Sequence, residues 1–427
     1  MKLLQTSLTL IALGLLAVPC FALEPRTWIV SDGRVLEGEL QTVSGSLVTI
    51  LDKDGKKVQL DKSFLSIGDN EYIKENFPDA KTGGFSAAPV LVMPQPARTA
   101  KIDQKVFKMG AGSFALPTDN YDIMETPHFK VMYQKPVDPR DVGELAERMW
   151  IDAAFVHATF PQKFATGQKM AIFLAPDDSM YDRIGQWYAE LISKAGREED
   201  ANRIKGTWPQ SASSNLYLTN DISSKYNVFD YARVFRAYRK AASANAKPEL
   251  IKGVWNPFFV HCLAGDMISL QAPGVTEFGS KGYFAVTGGH SYYKEVFLTG
   301  KSETGLLRAQ SATGRDVSTV RGLEDARQWA TELKKWVRKG EVKANFETLN
   351  LLTQQGTDMK GTVLAYGWAR YLQSSIPKLA NFSKLVARIG TSRQMPEPDD
   401  FARIYGFKSG AEMEADFQKW LVSTEFR

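Results

Sequence analysis

The sequence predicts a multidomain protein: a small all-β module, followed by an α+β domain whose C-terminal half is largely helical. Asp-Gly pairs stand at 32–33 and 54–55, between runs rich in β-branched residues. Such pairs favour the tight turns of β-hairpins because glycine tolerates positive φ. From Tyr121 onward, segments with alternating apolar residues precede segments with apolar residues at helical spacing, which indicates strands and then helices.

The composition is that of a globular protein. Hydrophobic residues make up 44% of the 427 residues and charged residues 24%, which are ordinary values. The length predicts two or three structural units at roughly 150 residues each. The formal net charge is only +5, and no run of lysine or arginine forms a basic stripe. The sequence therefore argues against nucleic acid as a partner.

The first 22 residues have the pattern of a secretory signal peptide. Lys2 is followed by a short apolar run at 7–18 and by a small residue at Ala22. The run is too short to span a membrane, and no later run of the sequence is long and apolar enough. We therefore expect cleavage near Ala22 and an exported protein, located in the periplasm or outside the cell, without a membrane span.

Cysteine usage fits an exported chain without disulfides. Cys20 lies within the predicted signal peptide, where Pro19 just before it argues against lipid attachment. Cleavage would leave Cys262 as the single cysteine. The stability of the mature chain must then come from its core.

The segment 24–78 predicts four or five short strands and one short helix, with Ser66 or Asp69 as the helix cap. This number of strands fits a small barrel. The positions that match a known module are Arg26, Trp28, 32–34, 37–39, Val48, Thr49, 54–56, Leu65, Ser66, Asp69, Tyr72 and Ile73. With these residues the segment resembles the Sla-homology (SHD-type) module, an SH3-like barrel. The resemblance implies binding or structure, with Trp28 either lining a ligand groove or, the favoured alternative, filling the core.

Residues 79–118 are rich in Ala, Pro and Gly and poor in charge, which predicts a linker. The domain that follows, 119–427, begins with strands and helices predicted at 128–134 (strand), 138–160 (helix), 169–176 (buried strand), 179–193 (helix) and 215–220 (edge strand). From about residue 227 onward helices dominate the prediction, including one at 326–340 that Gly340 ends.

The segment 255–271, WNPFFVHCLAGDMISLQ, predicts an amphipathic helix around one histidine. His261 and Gly265 stand one turn apart. Zinc peptidases place the two histidines of a His-Glu-x-x-His motif at this spacing, so that both imidazoles reach one ion. Cys262 stands where such a site has the glutamate that deprotonates the metal-bound water.

The wider pattern is similar to the gluzincin (thermolysin-like) metallopeptidases, above all to the peptidase-MA-like proteins of exported bacterial families. The order of predicted elements agrees, and the segments 346–352, 365–372 and 401–421 resemble the family's later helices. Lys281-Gly282 lies 20 residues after His261, where the resemblance implies a Glu-Gly whose glutamate is the third zinc ligand.

The departures from the family pattern predict a degenerate site. Of the four family positions only His261 is kept, because Cys262 replaces the base, Gly265 the second ligand and Lys281 the third ligand. A lysine ammonium repels the ion unless burial strongly lowers its pKa. A catalytic zinc needs three protein ligands. We therefore expect that zinc and peptidase activity have been lost and that no other cofactor is bound.

The resulting prediction is a non-catalytic protein that binds a peptide or protein in the cell envelope. His290 and Tyr292 are further candidate binding residues, since the glycine-containing segment 285–293 predicts a ligand-facing loop or a plain turn. Two alternatives stay open: an envelope scaffold, and a hydrolase whose rebuilt site uses Cys262 and His290. The sequence disfavours a pair between Cys262 and its neighbour His261, because adjacent side chains of a helix diverge by roughly 100°.

Overall fold

The structure is a computed structural model that describes most of the chain. The described residues are 25–31, 34–78, 96–111, 116–117, 121–135, 137–157, 169–211, 213–218, 220–226, 228–239, 249–250, 257–272, 282–302, 304, 326–354 and 356–427. The predicted signal peptide, residues 79–95 of the predicted linker and Lys281 lie outside these ranges.

The N-terminal unit is a four-stranded antiparallel sheet in which each strand pairs with the next one along the chain. Its strands are β1 (Arg26–Ile29), β2 (Val35–Ser44), β3 (Leu47–Asp52) and β4 (Lys57–Asp61). Gly45 and Gly55, with φ of 60° and 77°, form the turns after β2 and β3, because glycine adopts this conformation without strain. Gly55 confirms the second predicted Asp-Gly turn; the first lies outside the described residues.

The described part of this sheet is not a closed barrel, because β1 and β4 do not pair with each other there. An isolated bridge between Val30 and Leu65 joins the end of β1 to the segment after β4. Closing a barrel requires a continuous ladder between the first and last strands. The chain instead enters helix α1 (Ile67–Asn76) directly after Leu65 and Ser66. The described residues therefore show a four-stranded antiparallel sheet that packs on α1 and is joined through β1 to the segment after β4; the SH3-like barrel stays a prediction.

Trp28 lies at the centre of the core of this sheet. Its side chain is fully buried, its Nε1 donates to the carbonyl oxygen of Gly38 at 3.0 Å, and its ring meets the edge of Tyr72. Trp28 is thus a core residue, which is the alternative that the sequence favoured. Of the two predicted caps, Ser66 is the one that caps α1, because its hydroxyl accepts from the backbone amide of Asp69.

Part of the predicted linker is folded onto the second unit. Helix α2 (Pro96–Thr99) packs against helix α3 (Arg140–Val156), and Arg148 of α3 donates to the carbonyl oxygen of Ala97 at 3.1 Å. Strand β5 (Lys108–Ala111) then joins the large sheet. The composition of the segment could not reveal this, because its contacts are with residues far along the chain.

The two units share one apolar core. Ile29 of β1 and Ile67 of α1 belong to the same buried cluster as the apolar face of α3. The buried Asp69 carboxylate accepts from the backbone amide of Ile29 at 2.9 Å and pairs with Arg26 at 2.8 Å. These contacts hold β1 and α1 together where they meet α3.

The second sheet has six strands in the order β5-β6-β7-β8-β10-β9. After β5 they are β6 (Asp122–Glu125), β7 (Phe129–Tyr133), β8 (Met170–Ala175), β9 (Ser213–Tyr217) and β10 (Tyr231–Arg236). Neighbours β7, β8 and β10 run parallel, and the other pairs are antiparallel. The predicted strands β7, β8 and β9 are confirmed, with β9 at an edge, as is the predicted helix α3.

Strand β10 lies in the region that the sequence assigned to helices. It pairs with β8 on one side and β9 on the other, and Val234, Phe235 and Arg236 are all buried. A strand buried on both faces loses the alternation that marks a half-buried strand, so six residues do not distinguish it from a helical turn. A further short pair, β11 (Tyr238–Arg239) and β12 (Glu249–Leu250), follows it.

The rest of the described chain is largely helical, as the sequence predicted. The helices after α3 are α4 (Asp178–Lys194), α5 (Glu198–Thr207), α6 (Asn220–Tyr226), α7 (Pro257–Gln271), α8 (Tyr283–Thr299), α9 (Ala326–Arg338), α10 (Phe346–Leu351), α11 (Met359–Leu372), α12 (Ile376–Ser392), α13 (Pro398–Ile404) and α14 (Gly410–Val422). Within the described ranges, none of them is both long and apolar enough to cross a membrane.

The segment 285–293 is the middle of α8 and not the loop or turn that its glycines suggested. A Cβ at Gly289 would lie 2.4 Å from the backbone oxygen of Ala365 in α11. The glycine therefore allows two helix backbones to approach closely, which a larger residue would prevent. Gly289 thus serves helix packing. The local sequence cannot distinguish a glycine needed for packing from a glycine needed for a turn.

We expect Gly289→Ala to lower the free energy of unfolding by roughly 1–3 kcal/mol, because the added methyl group overpacks the contact with α11. Gly206→Ala is the matched control. Gly206 is also helical, but a Cβ there meets nothing within 4 Å, so the change should be neutral or stabilising by up to about 1 kcal/mol. Urea denaturation of both variants measures the difference, and equal effects would contradict the close packing.

Candidate functional site

Helix α7 presents two different faces to its surroundings. His261 and Gly265, one turn apart, face α8. Cys262 and Asp266, also one turn apart, face strands β9 and β10 of the sheet. The predicted divergence of His261 and Cys262 is confirmed, since residues at adjacent positions of a helix point about 100° apart.

His261 is held by a buried carboxylate of α8. Its Nδ1 lies 3.0 Å from Oε2 of Glu295, which is fully buried. The other oxygen of Glu295 accepts from the backbone amide of Thr304 at 2.9 Å, and the imidazole packs edge to face on Tyr292. A carboxylate on Nδ1 fixes the orientation of the ring. The side chain of His261 is still 18% exposed.

Gly265 lies where a second zinc-binding histidine would be required. A Cβ at this position would lie 3.0 Å from Oγ of Ser291 on α8, and Ser291 in turn donates to the carbonyl oxygen of Thr287 at 3.2 Å. A side chain at position 265 would therefore need Ser291 to move. The seam between α7 and α8 is closed at the point where the resemblance to gluzincins implies a ligand.

Cys262 is a buried thiol with no feature of a nucleophile. Burial raises its pKa to about 12, despite the opposing influence of the nearby Arg233 guanidinium. A thiol with a raised pKa carries almost no thiolate at neutral pH and is chemically inert. Its neighbours include Ser213 and Asp266.

His290 and Tyr292 are buried residues of α8, so neither lies on an exposed loop as the loop interpretation required. His290 contacts Gln373, Phe382 and His157, whereas Cys262 faces the sheet. The structure thus places Cys262 and His290 in two different groups of side chains. This arrangement gives no support to a catalytic pair between them.

A buried ion pair joins α7 to the sheet. Nε of Arg233 in β10 donates to Oδ2 of Asp266 at 2.8 Å, and Nη2 donates to Oδ1. The two side chains are 12% and 2% exposed. Burial disfavours the charged guanidinium, but Asp266 more than offsets this and holds the pKa of Arg233 well above its usual range. Ser213 and Asn215 of β9 add contacts at 3.3 Å and 3.4 Å.

The donor set does not fit a catalytic zinc. Of the ligand positions that the resemblance implies, His261 supplies one imidazole, Gly265 has no side chain, and Lys281 lies outside the described residues. The described ranges contain no group of three or more His, Cys, Asp or Glu side chains placed to hold a metal ion. One imidazole falls short of the three protein ligands that a catalytic zinc requires.

Four residues of this region were missed by the sequence analysis, namely Arg233, Asp266, Ser291 and Glu295. The aspartate gave a usable signal, because a charged residue on an otherwise apolar helix is rarely buried without a partner. The other three contact α7 from elements distant in the sequence, and no local pattern marks them.

Comparisons of the chain with protein-family models, curated proteins and solved structures find no match.

Breaking one side of the buried ion pair should be strongly destabilising. We expect Arg233→Met or Asp266→Leu alone to lower the free energy of unfolding by about 3–5 kcal/mol, since each leaves a buried charge without its partner. The double variant should recover most of this loss, because both charges are gone. Urea denaturation of the natural chain and of the three variants gives the four free energies of unfolding for a double-mutant cycle.

The exposed pair of Arg197 and Asp200 is the matched control, and Arg197→Met should change the stability little because solvent screens the pair. Additive losses at positions 233 and 266 would show that the two side chains do not depend on each other.

Proposed function

We propose that the chain is an exported, non-catalytic protein in which an SH3-like module precedes a pseudo-metallopeptidase domain that binds peptide or protein. In this proposal the four-stranded N-terminal sheet is part of an SH3-like module. The gluzincin-like domain is the finer interpretation of the mixed six-stranded sheet and the helices packed on it. Export follows from the signal peptide predicted for residues 1–22.

The observation that carries this proposal is the seam between α7 and α8. A side chain at the position of the second ligand, Gly265, would meet Ser291, and the position of the catalytic base holds the buried thiol of Cys262. His261 is anchored by Glu295. These contacts are typical of a packed interface. They support a domain that keeps the fold of a metallopeptidase without zinc-dependent activity.

The edge strand β9 supports a peptide as the ligand. Within the described residues, β9 pairs only with β10. The backbone N–H of Tyr217 donates outward, to the hydroxyl of Tyr188 at 3.1 Å, so the N–H of Asn215, two residues earlier, also points away from β10. At Tyr217 the outward N–H and the carbonyl oxygen are both bonded to the hydroxyl of Tyr188, so an extended peptide would add through the main-chain groups of β9 that precede Tyr217.

Metal analysis tests the loss of catalysis. We expect the purified chain, incubated with zinc and then dialysed, to retain no stoichiometric zinc and to cleave no unfolded protein substrate, with or without chelator. The physical reason is the single imidazole at a site that needs three ligands. His261→Ala is the control and should leave the zinc content unchanged. Stoichiometric zinc together with chelator-sensitive cleavage would overturn the proposal.

A proline at the outer edge of β9 tests peptide addition. We expect Asn215→Pro to abolish capture of peptides from a random displayed library, because proline has no N–H to donate to an added strand. Asn215→Ala is the matched control: it loses the same side-chain contact to Asp266 but keeps the N–H, so it should capture peptides as the natural chain does. If neither the natural chain nor the Ala variant captures peptide, the scaffold alternative is favoured. Equal capture by both variants would place the ligand elsewhere.

A further inference from the structure

A group of buried polar side chains lies where α3, α8, α11 and α12 meet, apart from the seam between α7 and α8. All of its members are at most 4% exposed, although polar groups are rarely buried so completely without a specific reason. The members are Asp152, His157, His290, Lys294 and Gln373.

The hydrogen bonds of this group require a neutral His290. Nε2 of Gln373 lies 3.1 Å from Nδ1 of His290 and also 3.1 Å from the carbonyl oxygen of Ala369. A carbonyl oxygen can only accept, so the amide nitrogen of Gln373 must be the group that faces it. The same nitrogen then donates to Nδ1 of His290. An imidazole that accepts at Nδ1 carries its single proton on Nε2.

The charges around His290 also oppose its protonation. Lys294 lies one turn further along α8, and its ammonium pairs with Asp152 of α3 at 2.8 Å. His157, at the end of α3, has its ring centre 6.1 Å from that of His290. Burial first, and then the charge of Lys294 and the proximity of His157 and His261, lower the pKa of His290 well below its ordinary value.

The remaining neighbours of His290 cannot stabilise a positive charge as an anion would. From α12 the ring stacks on Phe382, with 5.3 Å between ring centres and 16° between planes. From the end of α11 the neighbour is the donor group of Gln373. Asp152 is the one carboxylate of this group, and it is already paired with Lys294.

We propose that His290 makes the helical half of this protein sensitive to acid: protonation of its imidazole breaks the hydrogen bond with Gln373 and loosens α8 from α11 and α12. An opened or unfolded state takes up a proton near pH 6.5, whereas the closed state does not. The opened state is therefore favoured as the pH falls below about 6.5. Because α8 also carries Ser291 and Glu295, its movement changes the seam with α7.

Urea denaturation of the full chain between pH 8 and pH 5 tests this linkage. We expect His290 to contribute a fall of up to tenfold per pH unit in the folding equilibrium constant below about pH 6.5. His290→Asn should remove this contribution, because the Asn oxygen can accept from Gln373 but does not titrate. Phe382→Leu is the matched control, since it disturbs the same contact while the histidine stays, and it should keep the steep dependence.

Hydrogen exchange, corrected for the intrinsic effect of pH, tests which elements open. At pH 5.5 the backbone amides of α8 and α12 should lose protection while those of β7 and β8 keep it. In the His290→Asn variant, protection of α8 should be the same at pH 5.5 and pH 7.5. A uniform loss of amide protection over the sheet and the helices would overturn the proposal. So would an unchanged pH dependence of α8 protection in the His290→Asn variant.

Imidazole NMR of the natural chain shows whether the closed state accepts a proton at His290, even if the His290→Asn variant does not fold. We expect the signals of His290 to keep the neutral form in the closed state at pH 5.5. A smooth titration near pH 6.5, with no change in the exchange of α8 amides, would show that the closed state accepts the proton and would overturn the proposal.

Discussion

The ion pair between Arg233 and Asp266 is the constraint on which the arrangement of the candidate site depends. A buried carboxylate must meet a buried cation, because leaving either charge alone costs several kcal/mol. This requirement fixes the rotation of α7 about its axis, with Asp266 and Cys262 toward the sheet. His261 and Gly265 must then face α8. One electrostatic contact thus decides which residues of the helix enter the seam.

The seam itself is closed by small groups and one hydrogen-bonded pair. Gly265 meets Ser291, Gly289 meets the backbone of Ala365 on the far side of α8, and Glu295 anchors His261. In a gluzincin metallopeptidase, a zinc ion would join the helices that carry its ligands. In this chain packing and hydrogen bonds join α7 and α8, as the proposal of a non-catalytic domain requires.

The helical half combines close apolar packing with an unusual polar group around His290. Such groups are costly to bury, and a hydrogen bond that needs a neutral imidazole makes the packing of α8 depend on its protonation state. Since α8 contacts α7 on one face and α11 on the other, this helix connects the candidate site to the interior. The seam with α7 and the acid-sensitive contact at His290 therefore both involve α8.

The sequence by itself determined the local structure: the hairpin turn at Gly55, the strand β8, the capped start of α1 at Ser66 or Asp69, and the helix around His261. These follow from periodicity and from cap and turn chemistry, which act over a few residues. Only the tertiary structure decided that Trp28 is core, that 285–293 is helical, and that β5 and β10 join the sheet. It also supplied Arg233, Ser291 and Glu295 to the site, because contacts between distant elements leave no local pattern.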